Sequence, residues 1–138
     1  MGIDQISVFL ENTTGRLCEV TRTLAKAGVN LRAISIADTA DFGILRIIVD
    51  KTEDAIQALV AAGFTTRKTA VAAVEIEDKP GSLAALMELF QTSGINIEYL
   101  YASLEGKQGK AVVIFKLEDN EKGTAILEKN GVTMAERF

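Results

Sequence analysis

The sequence predicts an α+β fold made of two βαββαβ units, in which each unit is an antiparallel sheet with its helices on one face. Three observations lead to this prediction. The chain of 138 residues contains an internal repeat. Apolar residues recur with a period of two in some segments and with helical spacing in others. A glycine, which readily adopts the left-handed conformation that ends a helix, follows each helical segment.

The internal repeat covers almost the whole chain and keeps a constant register. Its first four identities lie 66 residues apart: Gly15/Gly81, Leu17/Leu83, Gly28/Gly94 and Asn30/Asn96. Three later identities lie 68 residues apart: Glu53/Glu121, Leu59/Leu127 and Gly63/Gly131. The two extra residues fall in the region of the turn 105–109, which is longer than the corresponding turn 39–42, and turns absorb such length changes. We therefore expect one domain over residues 1–69 and a second over residues 70–138.

The first strand and helix of copy one have clear periodicities. Ile6, Val8 and Leu10 occupy alternate positions, which is typical of a half-buried strand. A helical spacing follows that predicts a core face formed by Leu17, Val20, Thr21, Leu24 and Ala27. Gly28 then ends the helix.

The second half of copy one reads as a hairpin, a helix and a last strand. The β-rich runs 29–37 and 43–50, joined by a short polar turn, predict the hairpin. Thr52 is the expected N-cap of the second helix, and Gly63 ends it. Residues 64–77 contain no Gly or Pro, so the last strand should run almost directly into the first strand of copy two.

Copy two repeats this order of elements. The expected segments are a strand at Val74 and Ile76, a helix at Leu83–Phe90, a hairpin over 95–104 and 111–117, a helix ending before Gly131, and a last strand over 132–136. A βαββαβ order places two helices on one face of a four-stranded antiparallel sheet, which is the ferredoxin-like arrangement.

The sheet faces opposite the helices are also apolar. Ile44 and Ile48 in copy one, and Val112 and Ile114 in copy two, alternate with the residues of the helix-covered face. A polar face would be expected if it met water. Each copy is half of 138 residues, a size at which a single core is marginal. We therefore expect the sister copy or a second chain to cover these faces, and we expect a homodimer.

The composition excludes several classes of function. One Cys and no His rule out a Cys/His zinc site, an internal disulfide, and Ser-His-Asp or Cys-His catalysis. The net charge of −4 argues against a nucleic-acid partner. No apolar run approaches the roughly 18 residues of a membrane span, so we expect a cytoplasmic protein that contacts no membrane. No catalytic constellation, cofactor or metal site is predicted, and we expect no enzyme.

Three features that resemble functional motifs have simpler interpretations. Cys18 has no His to activate it and is expected to be a structural thiol. Glu75 and Glu77 share a strand face, where two solvated carboxylates are expected more often than an acid pair. The Gly- and Lys-rich segment 106–110 lacks the spacing of a phosphate loop and the helix that should follow one.

The segment between the first strand and the first helix carries the strongest chemical signal in each copy. Gly15 and Gly81 let backbone N–H groups approach a partner closely. A helix N-terminus attracts a small carboxylate, and Asn12 or Asp78 beside it can meet an ammonium group. This combination suggests an amino-acid site. The alternative is that these residues only open a helix.

The motif of copy two, Asp78-Lys79-Pro80-Gly81-Ser82-Leu83 followed by Gly94-Ile95-Asn96, resembles the ACT domain. Copy one has a looser form of the same motif, in residues 12–17 and 28–30. The resemblance implies two ACT domains that sense a small molecule, most often an amino acid. It also implies that the ligand lies at an interface between paired ACT units, held by the loop between the first strand and the first helix.

The resemblance also implies particular ligand-binding residues. By position they are Asn12, Gly15, Arg16 and Leu17 in copy one, and Asp78, Gly81, Ser82 and Leu83 in copy two, with Asn30 and Asn96 as weaker candidates. Copy one lacks the Pro, and copy two has Asp where many ligand-binding members have Asn. We therefore expect the two copies to bind unequally, with copy one engaging the polar groups of the ligand.

The sequence thus predicts a regulatory protein that binds a free amino acid or similar metabolite at a domain or subunit interface. Its output would pass to a partner such as a metabolic enzyme. The alternative is an interaction subunit that binds no ligand and docks on a metabolic enzyme through its sheet edges. Neither hypothesis is that of an enzyme, because the composition disfavours a catalytic function.

Overall fold

The computed structural model describes residues 2–38, 41–104 and 108–135. It contains an α+β fold with antiparallel strand pairs, so the predicted fold class is confirmed. The elements in chain order are β1 (Ile3–Glu11), α1 (Arg16–Lys26), β2 (Leu31–Asp38), β3 (Phe42–Val49), α2 (Thr52–Ala61), β4 (Thr65–Glu77), α3 (Ser82–Thr92), β5 (Ile97–Ala102), β6 (Lys110–Leu117) and α4 (Asn120–Lys129).

The backbone divides into two compact units. Among the described residues, the first unit is formed by Asp4–Thr69, and the second by residues 70–135 together with Gly2 and Ile3. The division falls inside β4, a single strand of 13 residues. The prediction that the last strand of copy one runs into the first strand of copy two is therefore confirmed.

In the first unit, β3 pairs with β1 on one side and with β2 on the other. Ile47 of β3 lies opposite Ile6 of β1 and Ile34 of β2, and both pairings are antiparallel. Helix α1 buries Val20 and Leu24 against this sheet. The alternation seen in the sequence therefore places one side of each strand under the helices.

The second unit repeats this arrangement. Strand β6 pairs antiparallel with β4 and β5, and Phe115 lies opposite Ala72 and Leu100. Phe90 of α3 packs edge-on against Phe115, with 5.5 Å between the ring centroids. This aromatic pair forms the centre of the second core.

Two helix predictions were wrong in detail. Leu17 and Leu83 are 40 % and 39 % exposed rather than buried, because the first turns of α1 and α3 do not face the cores. Thr52 is the first residue of α2 and not its N-cap, which is Lys51. The helix begins earlier than expected because the Ala55 N–H already donates to the Lys51 carbonyl at 3.0 Å.

The predicted last strand of copy two is reduced to a short bridge. Val74 pairs with Met134, and the Ala135 N–H donates to the Ala73 carbonyl at 2.9 Å. The backbone around Met134 thus adds a short antiparallel segment instead of a regular strand. The end of the predicted range, Glu136, lies outside the described residues.

Some residues on the sheet faces away from the helices are buried within the single chain, and others are exposed. Ile48 is 2 % exposed and Ile114 is fully buried. The expectation that these apolar faces are covered is thus confirmed at these positions. Phe9 and Phe42 on the same face of the first unit are 41 % and 61 % exposed, so the face is covered only in part and the homodimer stays a prediction.

Candidate functional site

The loop between β1 and α1 has a backbone held by a small set of hydrogen bonds. The Asn12 N–H donates to the Asp41 carbonyl at 2.9 Å, and the Thr13 N–H donates to the Glu11 carbonyl at 2.8 Å. Gly15 is the N-cap of α1 and has a φ of 93°. Such a positive φ favours glycine, because other residues carry a Cβ that crowds the backbone there.

The corresponding loop of the second unit has the same backbone geometry. The Asp78 N–H donates to the Gly109 carbonyl and the Lys79 N–H to the Glu77 carbonyl, both at 3.0 Å. The N-cap Gly81 has a φ of 92°. The side chains differ between the loops, so the repeated glycine and the neighbouring hairpin set this geometry.

The first turns of α1 and α3 leave backbone donors for a ligand. Neither N-cap residue makes a side-chain hydrogen bond to its helix. The first regular bond of α1 is donated by Glu19 to Gly15, so the N–H groups of Leu17 and Cys18 have no backbone acceptor among the described residues. Free N–H groups at the positive end of a helix dipole attract an anion.

A groove of about 200 Å³ adjoins this loop in the first unit. It is formed by the end of β1, the loop, the first turn of α1, and facing positions of β2 and β3. The lining residues are Leu10, Glu11, Asn12, Thr13, Arg16, Leu17, Ile36 and Gly43. Drug-sized ligand pockets measure about 300–1,000 Å³. The groove is therefore of a size for a small metabolite.

Arg16 provides a fixed positive charge at the groove. Its Nη1 donates to Glu19 Oε2 at 2.8 Å, and its guanidinium carbon lies 4.7 Å from the centre of the Phe64 ring. Its Nε is buried and has no partner among the described residues. Glu19 and Phe64 thus hold the guanidinium group in place beside the groove.

The groove includes three of the residues predicted from the sequence. Asn12, Arg16 and Leu17 line it, and Gly15 lies between them in the chain. Asn12 has a further interaction within the protein. The loop of the first unit therefore brings together the backbone donors, a cationic side chain and an amide.

Asn30 and Asn96 lie away from these loops. The Asn30 N–H donates to Asp50 Oδ1 at 2.9 Å, and the Asp50 N–H donates back to the Asn30 carbonyl at 3.1 Å. Strand β2 carries the chain roughly 16 Å from Leu31 to Ile36 at about 3.3 Å per residue. Asn30 therefore shapes the opposite end of the hairpin, and Asn96 does the same through its carbonyl, which accepts from the Glu118 N–H.

The second unit has different side chains around its loop. Ser82 takes the position of Arg16, Ala102 that of Ile36, and Ala111 that of Gly43. Its carboxylate Glu77 pairs with Lys79 at 2.7 Å and lies 3.9 Å from Lys110.

The ion pair next to the second loop shifts the pKa values of both groups and favours their charged forms. The hydrogen bond from Lys79, together with its charge, holds the pKa of Glu77 below its ordinary value. The same hydrogen bond raises the pKa of Lys79. Glu77 of the second unit is thus already matched by a cation of its own loop.

Five lining residues are not among the predicted ligand-binding residues; Leu10, Glu11 and Thr13 adjoin the predicted loop in the chain, whereas Ile36 and Gly43 are distant from it. The latter two lie 20 to 30 residues from the loop, and the pairing of β3 with β1 and β2 brings them beside it. A comparison of the two copies could have found them, because the repeat replaces them with Ala102 and Ala111.

The remaining chemical features of the described residues add no second kind of site. No group of three or more His, Cys, Asp or Glu residues there is arranged to hold a metal ion. Cys18 is exposed. The helices described are all too short or too polar to cross a membrane.

Comparison with known proteins identifies what this chain is similar to. The family described as an ACT domain pair matches residues 1–137. The crystal structure of protein BT0572 from Bacteroides thetaiotaomicron is 37 % identical, with a TM-score of 0.92, covering 98 % of this chain and 92 % of that one. No curated protein matches the chain.

Two further structures share the fold. The ligand-free regulatory subunit of aspartate kinase from Thermus thermophilus has a TM-score of 0.69 at 20 % identity, covering 94 % of this chain and 93 % of that one. The corresponding subunit from Thermus flavus has a TM-score of 0.59 at 20 % identity, covering 91 % and 90 %. At this identity the likeness shows the fold alone.

Proposed function

The chain belongs to the ACT domain family, as a tandem pair, and from this premise we propose that it is a regulatory protein that binds a free amino acid in the groove of its first unit. The observation that carries the proposal is the groove of about 200 Å³ beside the unpaired N–H groups of α1 and the guanidinium of Arg16. Those donors suit the carboxylate that all free amino acids share.

The other end of an amino acid is an ammonium group, which needs oxygen acceptors. Glu11 and Asn12 line the groove next to Arg16, and their side chains supply a carboxylate and an amide oxygen. A groove with donors and acceptors side by side suits a zwitterion. A simple anion would use only the donors.

The proposed mechanism is a shift between conformational populations. A ligand that binds one arrangement more tightly than another favours that arrangement, and a partner then responds to it. The two Thermus proteins of the same fold are regulatory subunits of aspartate kinase. By analogy we propose that the partner here is a metabolic enzyme, and that the chain forms a homodimer.

We propose weaker binding at the second unit. Its loop keeps Gly81 and the helix N–H groups of Leu83, and Asp78 stands beside them. It has Ser82 where the first unit has the cation, and its Glu77 is already paired with Lys79. The second unit therefore lacks a cation at the start of its helix to meet the carboxylate of a zwitterion.

A second candidate function is that of an interaction subunit without a ligand. Phe9 and Phe42 are 41 % and 61 % exposed, whereas the second unit has Glu75 and Lys110 at these positions. Exposed aromatic residues at positions that are polar in the sister copy favour a protein partner.

A thermal-shift screen against the twenty amino acids tests the proposed function. A ligand at 100 times its Kd adds about 2.7 kcal/mol of stability, which is easily detected. Isothermal titration calorimetry on the strongest hit should then show weaker binding to Asn12→Ala, with Asn130→Ala, just after α4, as the matched control. If no amino acid shifts the transition, the proposed function is wrong and the interaction subunit is favoured.

A further inference from the structure

We infer that the groove selects amino acids with an uncharged aliphatic side chain, and that Gly43 sets the upper limit on their size. This inference rests on the proposed function and adds to it the class of ligand. It follows from the walls of the groove rather than from the backbone donors of α1.

The walls of the groove away from its charged groups are aliphatic. Leu10 is 3 % exposed and forms a buried surface, whereas Leu17 and Ile36 are 40 % and 53 % exposed. Two large aliphatic side chains facing one small groove leave apolar surface in water. An aliphatic ligand side chain placed between them would remove that surface from water, which favours binding.

The charged residues that line the groove can meet the carboxylate and the ammonium group of an amino acid. No further charged residue of the described part of the chain lines the groove to meet a charged ligand side chain. In the proposed binding mode Arg16, which also pairs with Glu19, meets the ligand carboxylate, and Glu11 meets the ammonium group. A ligand with a charged side chain would lose hydration beside Leu10 and Ile36 without gaining a counter-charge, and such a loss is costly. Charged amino acids should therefore bind more weakly than aliphatic ones.

Gly43 leaves space that a side chain would fill. A Cβ built at this position lies 3.7 Å from Ile36 Cδ1 and 3.7 Å from the Ala37 carbonyl oxygen, which are ordinary van der Waals distances. Gly43 also has no positive φ that would forbid a side chain. Alanine thus fits the fold, as Ala111 does in the second unit, but it reduces the room in the groove.

The sister copy provides the variants for the test. Gly43→Ala and Ile36→Ala each introduce the residue that the second unit has at that position. Ile36 is half exposed, so its truncation should change stability little. Val60→Ala is the matched control, because Val60 lies on α2 outside the groove and is 56 % exposed.

The experiment is isothermal titration calorimetry on the full chain with alanine, valine, leucine, lysine and glutamate. We expect leucine or valine to bind the parent at least tenfold more tightly than lysine or glutamate. Gly43→Ala should weaken leucine more than alanine, and Ile36→Ala should weaken both branched ligands by about tenfold. Val60→Ala should bind like the parent.

Three results would overturn parts of this reasoning in distinguishable ways. Lysine or glutamate binding as tightly as leucine contradicts the aliphatic class while leaving the proposed function intact. Equal effects of Gly43→Ala on leucine and alanine contradict the size limit. If neither these five ligands nor any other amino acid of the thermal-shift screen binds the folded parent, the proposed function itself fails.

Discussion

Replacing Arg16 by Met should separate ligand binding from stability. The guanidinium pairs with Glu19 at 2.8 Å, and the two side chains are 28 % and 58 % exposed. Exposed ion pairs of this kind contribute about 0.2–1 kcal/mol, because solvent screens them. The contact with the Phe64 ring adds about 0.5–1 kcal/mol. Met keeps much of the side-chain packing, so the variant should lose at most about 2 kcal/mol of unfolding free energy.

The effect of the same substitution on binding should be larger. A hydrogen bond to a charged group contributes about 1.5–3 kcal/mol, which corresponds to roughly a 10- to 150-fold change in affinity. Urea denaturation measures the stability loss, and calorimetry with the strongest amino-acid ligand measures affinity. Arg22→Met is the matched control, since Arg22 is exposed on the same helix but does not line the groove. Equal affinities for the parent and Arg16→Met, or equal losses in both variants, would refute the role of Arg16.

The described contacts support four further predictions. Gly15→Ala and Gly28→Ala should each lose about 1–2 kcal/mol of stability, because both positions have a positive φ; a Cβ there would meet no other atom of the described residues, so no steric clash adds to this loss. Ligand affinity should fall only in Gly15→Ala, and calorimetry showing equal affinities for the two variants would contradict this. NMR titration should find the pKa of Glu77 below its ordinary value of 4.5, and the substitution Lys79→Met should raise this pKa. The stability that the Glu77–Lys79 pair contributes is present above pH 4.5 and is lost as the pH falls through the folded-state pKa of Glu77. Phe90→Ala should destabilise the protein by about 3–5 kcal/mol in urea denaturation, and a loss below about 1 kcal/mol would show that the aromatic core relaxes. Light scattering should give a mass near twice 14.8 kDa, whereas 14.8 kDa at micromolar concentration would argue against the homodimer.

Most of the fold could be predicted because its signals are local. The glycines that stop the helices, such as Gly28 and Gly94, adopt the expected positive φ of 71°. The continuous strand β4 follows from a run without Gly or Pro. The errors lie where local patterns carry no information on what faces a residue, as at the first turns of α1 and α3, where Leu17 and Leu83 keep helical spacing but are exposed.

The candidate site was only partly predictable for the same reason. Asn12 and Arg16 belong to one short motif, so their closeness in the chain is enough to predict that they share a site. Ile36 and Gly43 reach the groove only through the register of β2, β3 and β1, which the sequence does not specify. The position of Asn30 at the other end of the hairpin likewise depends on that register.

The equal backbone geometry of the two loops has a consequence for how such a protein diverges. After a duplication, one copy can lose or change its specificity by side-chain replacement alone, because the hydrogen-bonded frame of the loop does not depend on those side chains. The three replacements Ser82→Arg, Ala102→Ile and Ala111→Gly would graft the wall of the first groove onto the second unit. The chain thus contains both the proposed binding site and a second loop of the same backbone geometry onto which that site could be transferred.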